Sequence, residues 1–233
     1  MSDGNLIKRQ AKFFVWLIIF LLGTFIPLKS QKYFFDNYSI KQGLSEQKVY
    51  KLLQDSKDFI WLGTANGLSR FDGKKFENFT SRDNLASGGV TSILEDSLGY
   101  IWFGHRSGGI SRYDGNKFEL ITFDSIKITG EITSIVQIKD KIWFTSTRDG
   151  ALLADFPIKE IKHVKTKQFR GKESLSDQVY GSKLTRDGSF ICIADVGLRK
   201  YNVEEKKFEN YRMPHLTTYF SSTCSSKAPT INI

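Results

Sequence analysis

The chain has 233 residues, 40% of them hydrophobic and 14% aromatic, and a formal net charge of +9. That length can bury a sizeable core, which excludes a small scaffold held only by bridges, and the two cysteines, Cys192 and Cys224, are too few for a disulfide framework. The basic excess raises nucleic acid as a partner, a reading the N-terminus turns against.

Lys8, Arg9 and Lys12 precede an unbroken apolar run from Phe13 to Leu22, continued through Phe25 and Ile26 to Pro27. Basic residues ahead of a short apolar stretch are the n-region and h-region of a secretory signal peptide, predicted over residues 1–31 with cleavage near Ser30 or Gln31. The run is shorter than the ~20 residues of a spanning helix, and no cysteine follows it to carry a lipid. Removing this segment takes away Lys8, Arg9, Lys12 and Lys29 along with Asp3, which trims the positive excess. An exported protein rarely meets nucleic acid, so none is expected as a partner.

From Tyr33 the chain reads YFFDNYSIKQGLS, which matches the end of a repeat, FENFTSRDNLAS at residues 76–87. Residues 33–38 are therefore expected to be a closing strand that completes another blade's sheet and removes a free edge. The repeat proper follows. FIWLGTANGLSRFDGKKFENF, residues 59–79, is written again as YIWFGHRSGGISRYDGNKFELITF, residues 100–123, and a third time as KIWFTSTRDGALLADF, residues 141–156. Trp61, Trp102 and Trp143 stand 41 residues apart, so three of the four tryptophans share one period. Such a period marks a repeat architecture.

Within each copy an apolar strand (Val49, Leu52 and Leu53; Val90, Ile93 and Leu94; Ile132, Ile135 and Val136) leads through a polar turn to a buried strand around the tryptophan. Asn66-Gly67 or Gly108-Gly109 then turns the chain into an alternating strand, and Asp72-Gly73 or Asp114-Gly115 turns it into a last one. Four short antiparallel strands in about 41 residues make one propeller blade. The predicted blades lie near 49–79, 90–123, 132–165 and 179–211, with outer strands near Phe76, Phe118, Ile161 and Phe208. Lys162, His163, Lys165, Lys167 and Arg170 make a basic stretch ahead of the fourth copy, a solvated loop face or a contact for an acidic glycan. In the fourth copy Cys192 stands where the tryptophan is expected, 49 residues after Trp143, as a buried thiol. Residues 214–233 lose the apolar period and read as a disordered or aberrant tail.

The strings V..LLQDS..FIWLGT.NGLSRFDG..F..F, residues 49–79, and VTSILEDSLGYIWFGH.SGGISRYDG..F, residues 90–118, resemble the two-component regulator propeller repeat. The third copy departs from it in having Thr145 where Gly63 and Gly104 stand. The resemblance covers about residues 33–212. It implies the N-terminal, periplasmic, ligand-sensing part of a hybrid two-component sensor kinase of the Bacteroidetes type, many of which respond to glycan fragments. The implied partners are an oligosaccharide or other small ligand, further propeller blades and a transmembrane histidine kinase. No kinase motif is present in the sequence.

The search for chemistry gives no G-x-x-x-x-G-K-[ST], no G-x-G-x-x-G and no G-x-S-x-G, so no cofactor is expected. His105, His163 and His215 lack partners at metal spacing and read as ordinary surface or loop histidines, and the Asp-Gly pairs read as turns, so no metal is expected. The tryptophans are read as inter-blade packing and not as stacking platforms. A binding site is expected where one blade hands over to the next, because those loops recur in every copy and converge on one mouth of the channel. They carry Glu46, Gln47 and Lys48; Gly88 and Gly89; Glu131; and Asp177 and Gln178. The expectation is an all-β propeller with an incomplete ring of about four blades, without catalysis. The alternative is a stand-alone exported propeller acting as a carbohydrate-binding protein or lyase, with Glu46, Glu131 and Asp177 as acid and base.

Overall fold

The structure, a computed structural model, describes residues 12–18, 35–124, 126–171 and 175–211. It divides into two compact units, Met1–Asn37 and Tyr38–Ile233. In the first, residues 12–18 form a helix with exposed side chains. No described helix is long and apolar enough to cross a membrane. The rest of the predicted signal peptide and the predicted tail lie outside the described residues.

The second unit is built of four four-stranded antiparallel sheets, each a simple meander. The first holds β1 (Val49–Gln54), β2 (Ile60–Thr64), β3 (Gly67–Phe71) and β4 (Phe76–Phe79). The second holds β5 (Val90–Glu95), β6 (Ile101–His105), β7 (Ile110–Tyr113) and β8 (Phe118–Ile121). The third holds β9 (Ile132–Ile138), β10 (Lys141–Ser146), β11 (Gly150–Asp155) and β12 (Thr166–Phe169). The fourth holds β13 (Val179–Leu184), β14 (Phe190–Ala194), β15 (Gly197–Asn202) and β16 (Lys207–Asn210). These are propeller blades. The third blade's outer strand lies beyond Ile161, so that blade runs to Phe169 and not to residue 165.

The turns explain the conserved spelling of the first two copies. Asp55 Oδ1 accepts the backbone N–H groups of Lys57 and Phe59, while its Oδ2 accepts from Trp61 Nε1 at 2.7 Å. Asp96 does the same for Leu98, Tyr100 and Trp102, again at 2.7 Å to the indole. One carboxylate thus closes the hairpin and fixes the tryptophan. Asp72 and Asp114 each accept two N–H groups of their own turns, and Gly73 and Gly115 supply positive φ there.

The core lies between blades. Trp61 and Leu68 of the first blade are buried against Val90, Ile93, Phe103 and Phe118 of the second. Trp102 and Ile110 are buried against Ile132, Ile135 and Phe144 of the third. Trp143 and Ala151 are buried against Val179, Phe190, Cys192 and Phe208 of the fourth. The inner strands β1, β5, β9 and β13 are neighbours in that order, and among the described residues no comparable packing joins β13 back to β1. Approach is close: a Cβ on Gly63 would lie 2.6 Å from Val90 O, and one on Gly104 would collide with the Ile132 side chain. The third copy admits Thr145 because its hydroxyl meets that of Thr133 at 2.9 Å, and Thr133 donates to Val179 O at 3.0 Å.

Register corrects one reading of the fourth copy. Trp61, Trp102 and Trp143 oppose Leu53, Leu94 and Val136, and the residue opposing the equivalent Lys183 is Ile191. Cys192 instead occupies the place of Phe103 and Phe144, where it packs on the preceding blade's Trp143. It is a buried thiol, and burial pushes its pKa up. His105 is likewise no surface residue: it is fully buried at the end of β6. His163 is exposed in a loop, and His215 lies outside the described residues.

Candidate ligand-binding mouth

Two repeat boundaries are superposable in detail. Ser39 and Thr80 cap short 3-10 turns, Ile40–Gln42 and Ser81–Asp83, each with a reciprocal capping box. Leu44 and Leu85 follow, both buried, and then Ser45 N donates to Ser69 Oγ as Ala86 N donates to Ser111 Oγ. Tyr38 rests 6.0 Å from Phe76 as Phe79 rests 4.9 Å from Phe118. Residues 35–39 form no strand, and residues 33 and 34 lie outside the described residues.

After each boundary the loop enters the inner strand at an equivalent place. The carbonyls of Lys48, Gly89, Glu131 and Gln178 accept from the backbone N–H of Ala65, Arg106, Thr147 and Asp195. This one bond, repeated four times, lays the predicted loops beside the β2–β3, β6–β7, β10–β11 and β14–β15 turns on one rim.

The predicted residues then separate by what they do. Lys48 stands over the Tyr50 ring at 5.3 Å, and Arg106 stands over the same ring at 5.7 Å while donating to Tyr50 Oη at 2.8 Å. Arg106 Nε also lies 3.8 Å from a Glu131 carboxylate oxygen. One guanidinium therefore links three blades. Glu46 accepts from the N–H of Gln47 within its own loop. Asp177 is held by Arg170 and Gly171 N–H, which lower its pKa, the guanidinium foremost. Gln178 accepts from Tyr180 Oη at 2.8 Å. Lys48, Tyr50, Arg106 and Glu131 thus form one constellation, with Gln178 and Tyr180 a separate pair on the fourth blade. Tyr50 and Arg106 escape the loop-based reading because they come from β1, at its bulge between Val49 and Lys51, and from a hairpin turn.

The His105 ring closes the floor of the second blade's rim. Its Nε2 meets Ser111 Oγ at 3.1 Å and its Nδ1 meets Gly88 O at 3.4 Å. Desolvation lowers its pKa to about 4, so the ring is neutral at pH 7. Among the described residues no group of three or more potential metal-holding side chains is assembled.

A model of the family described as two component regulator propeller matches residues 43–66 and 84–107. Each window runs from the capped boundary through the mouth loop and the inner two strands to the following hairpin. A search of curated proteins finds no match. Among solved structures, the extracellular domain of a hybrid two component system from B. thetaiotaomicron is 20% identical with a TM-score of 0.63, covering 77% of this chain and 26% of that one. A second such domain from the same organism is 19% identical with a TM-score of 0.59, over 73% of this chain and 26% of that one. PorZ, a surface component of the type-IX secretion system of Porphyromonas gingivalis, is 17% identical with a TM-score of 0.51, over 64% of this chain and 24% of that one. The chain spans about a quarter of the length of these structures. The chain is a β-propeller protein in which residues 43–66 and 84–107 are similar to the two component regulator propeller repeat.

Proposed function

We propose that this chain is an exported, periplasmic or envelope-facing sensor propeller that binds a glycan fragment at its mouth and catalyses nothing. In a longer protein, binding would be passed to further blades and, through a membrane helix, to a histidine kinase. The observation that carries the reading is Arg106, whose guanidinium joins Tyr50 of the first blade to Glu131 of the third at one rim. A flat aromatic face, a cation and a carboxylate are the groups that recognise a polyhydroxylated ring by stacking and paired hydrogen bonds. Glu46, Gln47, Lys48, Asp177 and Gln178 complete the rim. A lyase would need a poised acid and base, whereas Glu46 is turned onto its own loop and Asp177 is paired with Arg170.

Calorimetry of the mature chain against a panel of glycan fragments, with product analysis of the same mixtures, tests both halves. Binding of at least one fragment, weakened about tenfold or more by Arg106→Ala, is expected, with no product formed. Time-dependent cleavage abolished by Glu131→Gln would move the protein to the enzyme class. Binding indifferent to Arg106→Ala would remove the mouth as the site.

A further inference from the structure

The three blade interfaces differ at one layer, and the difference opens a cleft. In the first blade Arg70 opposes Trp61 on the neighbouring strand, lies 4.7 Å over the Phe59 ring and 5.4 Å over Trp61, and donates to Tyr113 Oη of the next blade. Glu77, opposite Arg70 on β4, pairs with it. The second blade repeats this with Arg112 over Tyr100 at 4.5 Å and Trp102 at 5.5 Å, paired to Glu119 at 3.0 Å. In both, a stacked arginine plugs the outer end of the interface.

The third blade lacks every part of that plug. Leu153 opposes Trp143 where the arginines stand, Lys167 opposes Leu153 where the glutamates stand, and Lys141 replaces the stacked aromatic. The shorter β9–β10 turn also lacks the aspartate that accepts from the indole. What remains is a cavity of about 910 Å³ between the third and fourth blades, lined by Trp143, Leu153, Lys167 and Tyr201 among others. Trp143 is 2% exposed, and no described residue accepts from its Nε1. Among the described residues no arginine is seen to donate to the hydroxyl of Tyr201, the counterpart of Tyr113.

The charge around this cavity is also distinct. Lys139, Lys165, Lys167 and Lys206 all line it, and among the described residues none of the four forms an ion pair. Of the carboxylates, Asp140 and Asp155 both pair with Lys141, whereas Asp187 and Glu209 accept from the neutral donors Thr185, Ser189 and Asn202 and keep their charge beside Glu204, so six lysines face five carboxylates around the cavity. The floor thus offers an indole N–H and a phenol, and the rim offers ammonium groups not paired with carboxylates, among which Lys167 donates to Lys206 O and stands 4.8 Å over the Phe169 ring. Loss of the plug leaves the room and puts Lys167 where the other blades have a glutamate.

We propose that the cleft between the third and fourth blades is a second ligand site, for a small hydroxylated organic anion of the sugar-acid class. The carboxylate would meet the rim lysines, and ring hydroxyls would meet Trp143 Nε1 and Tyr201 Oη. The volume falls within the usual range for small-molecule pockets, roughly 300–1,000 Å³. The basic stretch ahead of the fourth copy, which includes Lys165 and Lys167, gains a role by this assignment. The site is independent of the mouth.

The test is titration of the mature chain at low salt with D-glucuronate, D-glucose and inorganic sulfate, read by calorimetry and tryptophan fluorescence. Glucuronate is expected to bind about tenfold or more tightly than glucose or sulfate. Leu153→Arg with Lys167→Glu rebuilds the plug of the other interfaces and should abolish that binding while leaving the circular dichroism spectrum and melting point unchanged or raised. Lys139→Ala with Lys206→Ala, distant from the core, should weaken it about threefold or more and serves if the plug variant does not fold. Arg106→Ala should leave it unaltered, which separates this site from the mouth. Equal binding of glucose, equal binding of sulfate, or full glucuronate binding by a folded plug variant or by the lysine variant would each overturn the proposal.

Discussion

At the scale of single residues, the interface tryptophans and their aspartates decide stability. Trp61 and Trp102 are fully buried and each donates to a buried carboxylate, so truncation to Ala removes packing area and leaves an acceptor unpaired. Each is expected to cost about 3–5 kcal/mol, measured by urea denaturation. Asp55→Ala should cost on the order of 1–3 kcal/mol by orphaning the indole N–H and the turn donors. His105 gives a pH signature. Its folded pKa, near 4, lies below the ordinary 6.5, so the unfolded chain binds the proton first as pH falls. Stability contributed by the neutral ring is complete above pH 6.5 and is lost progressively as pH falls toward 4. The first blade has Thr64 at the equivalent position, so His105→Thr should flatten the melting temperature over that window. An unchanged slope would show that carboxylates dominate it.

At the scale of elements, much was legible because the pattern is local. The tryptophan period, the Asn-Gly, Gly-Gly and Asp-Gly turns, and the alternation around Arg70 and Arg112 place the strands of the first two blades. The third blade's outer strand was missed because no Asp-Gly pair follows Leu153 to announce it, and a long connection carries the chain to Thr166. Counting by the repeat period puts Cys192 at the tryptophan position that Ile191 occupies, and in a strand one residue reverses the face. At the mouth, the loops were legible from their recurrence, whereas Arg106 was not, since its role depends on two neighbouring blades. The cleft had a signal in plain sight, the series Arg70, Arg112, Leu153, whose meaning depends on knowing which strands face each other. Close blade approach yields a further test at this scale. Gly63→Ala and Gly104→Ala place a Cβ against the next inner strand, and each should cost about 1–3 kcal/mol, read from the melt. Ile193→Gly, at the same position of the fourth blade where nothing packs, should stay within about 1 kcal/mol of the parent.

At the scale of the molecule, the four blades of residues 49–210 are unequal in what covers them. Ile93 of the second blade's inner strand is 5% exposed against the first blade, while its counterpart Leu52 is 58% exposed. Ile193 is 53% exposed on the far face of the fourth blade, where Gly63 and Gly104 press on a neighbour. Tyr38, with its rings against Phe71 and Phe76, shields only one corner of the first face. Among the described residues the first blade's face, shaped to receive a tryptophan layer, and the fourth blade's far face, which presents Ile191 in the tryptophan's place, are both largely uncovered. Two copies, or many, can therefore join head to tail, a heterologous contact that closes into a ring or runs on as a filament according to the rotation per copy. The mature chain is expected to self-associate with rising concentration in sedimentation velocity and to melt over a broad range. Leu52→Glu and Ile193→Glu, each on one bare face, should both reduce the association, and mixing the two variants should not restore long assemblies, because each pair of unaltered faces permits a single junction. A monodisperse parent with a sharp thermal transition would mean that the first and fourth blades find each other in solution.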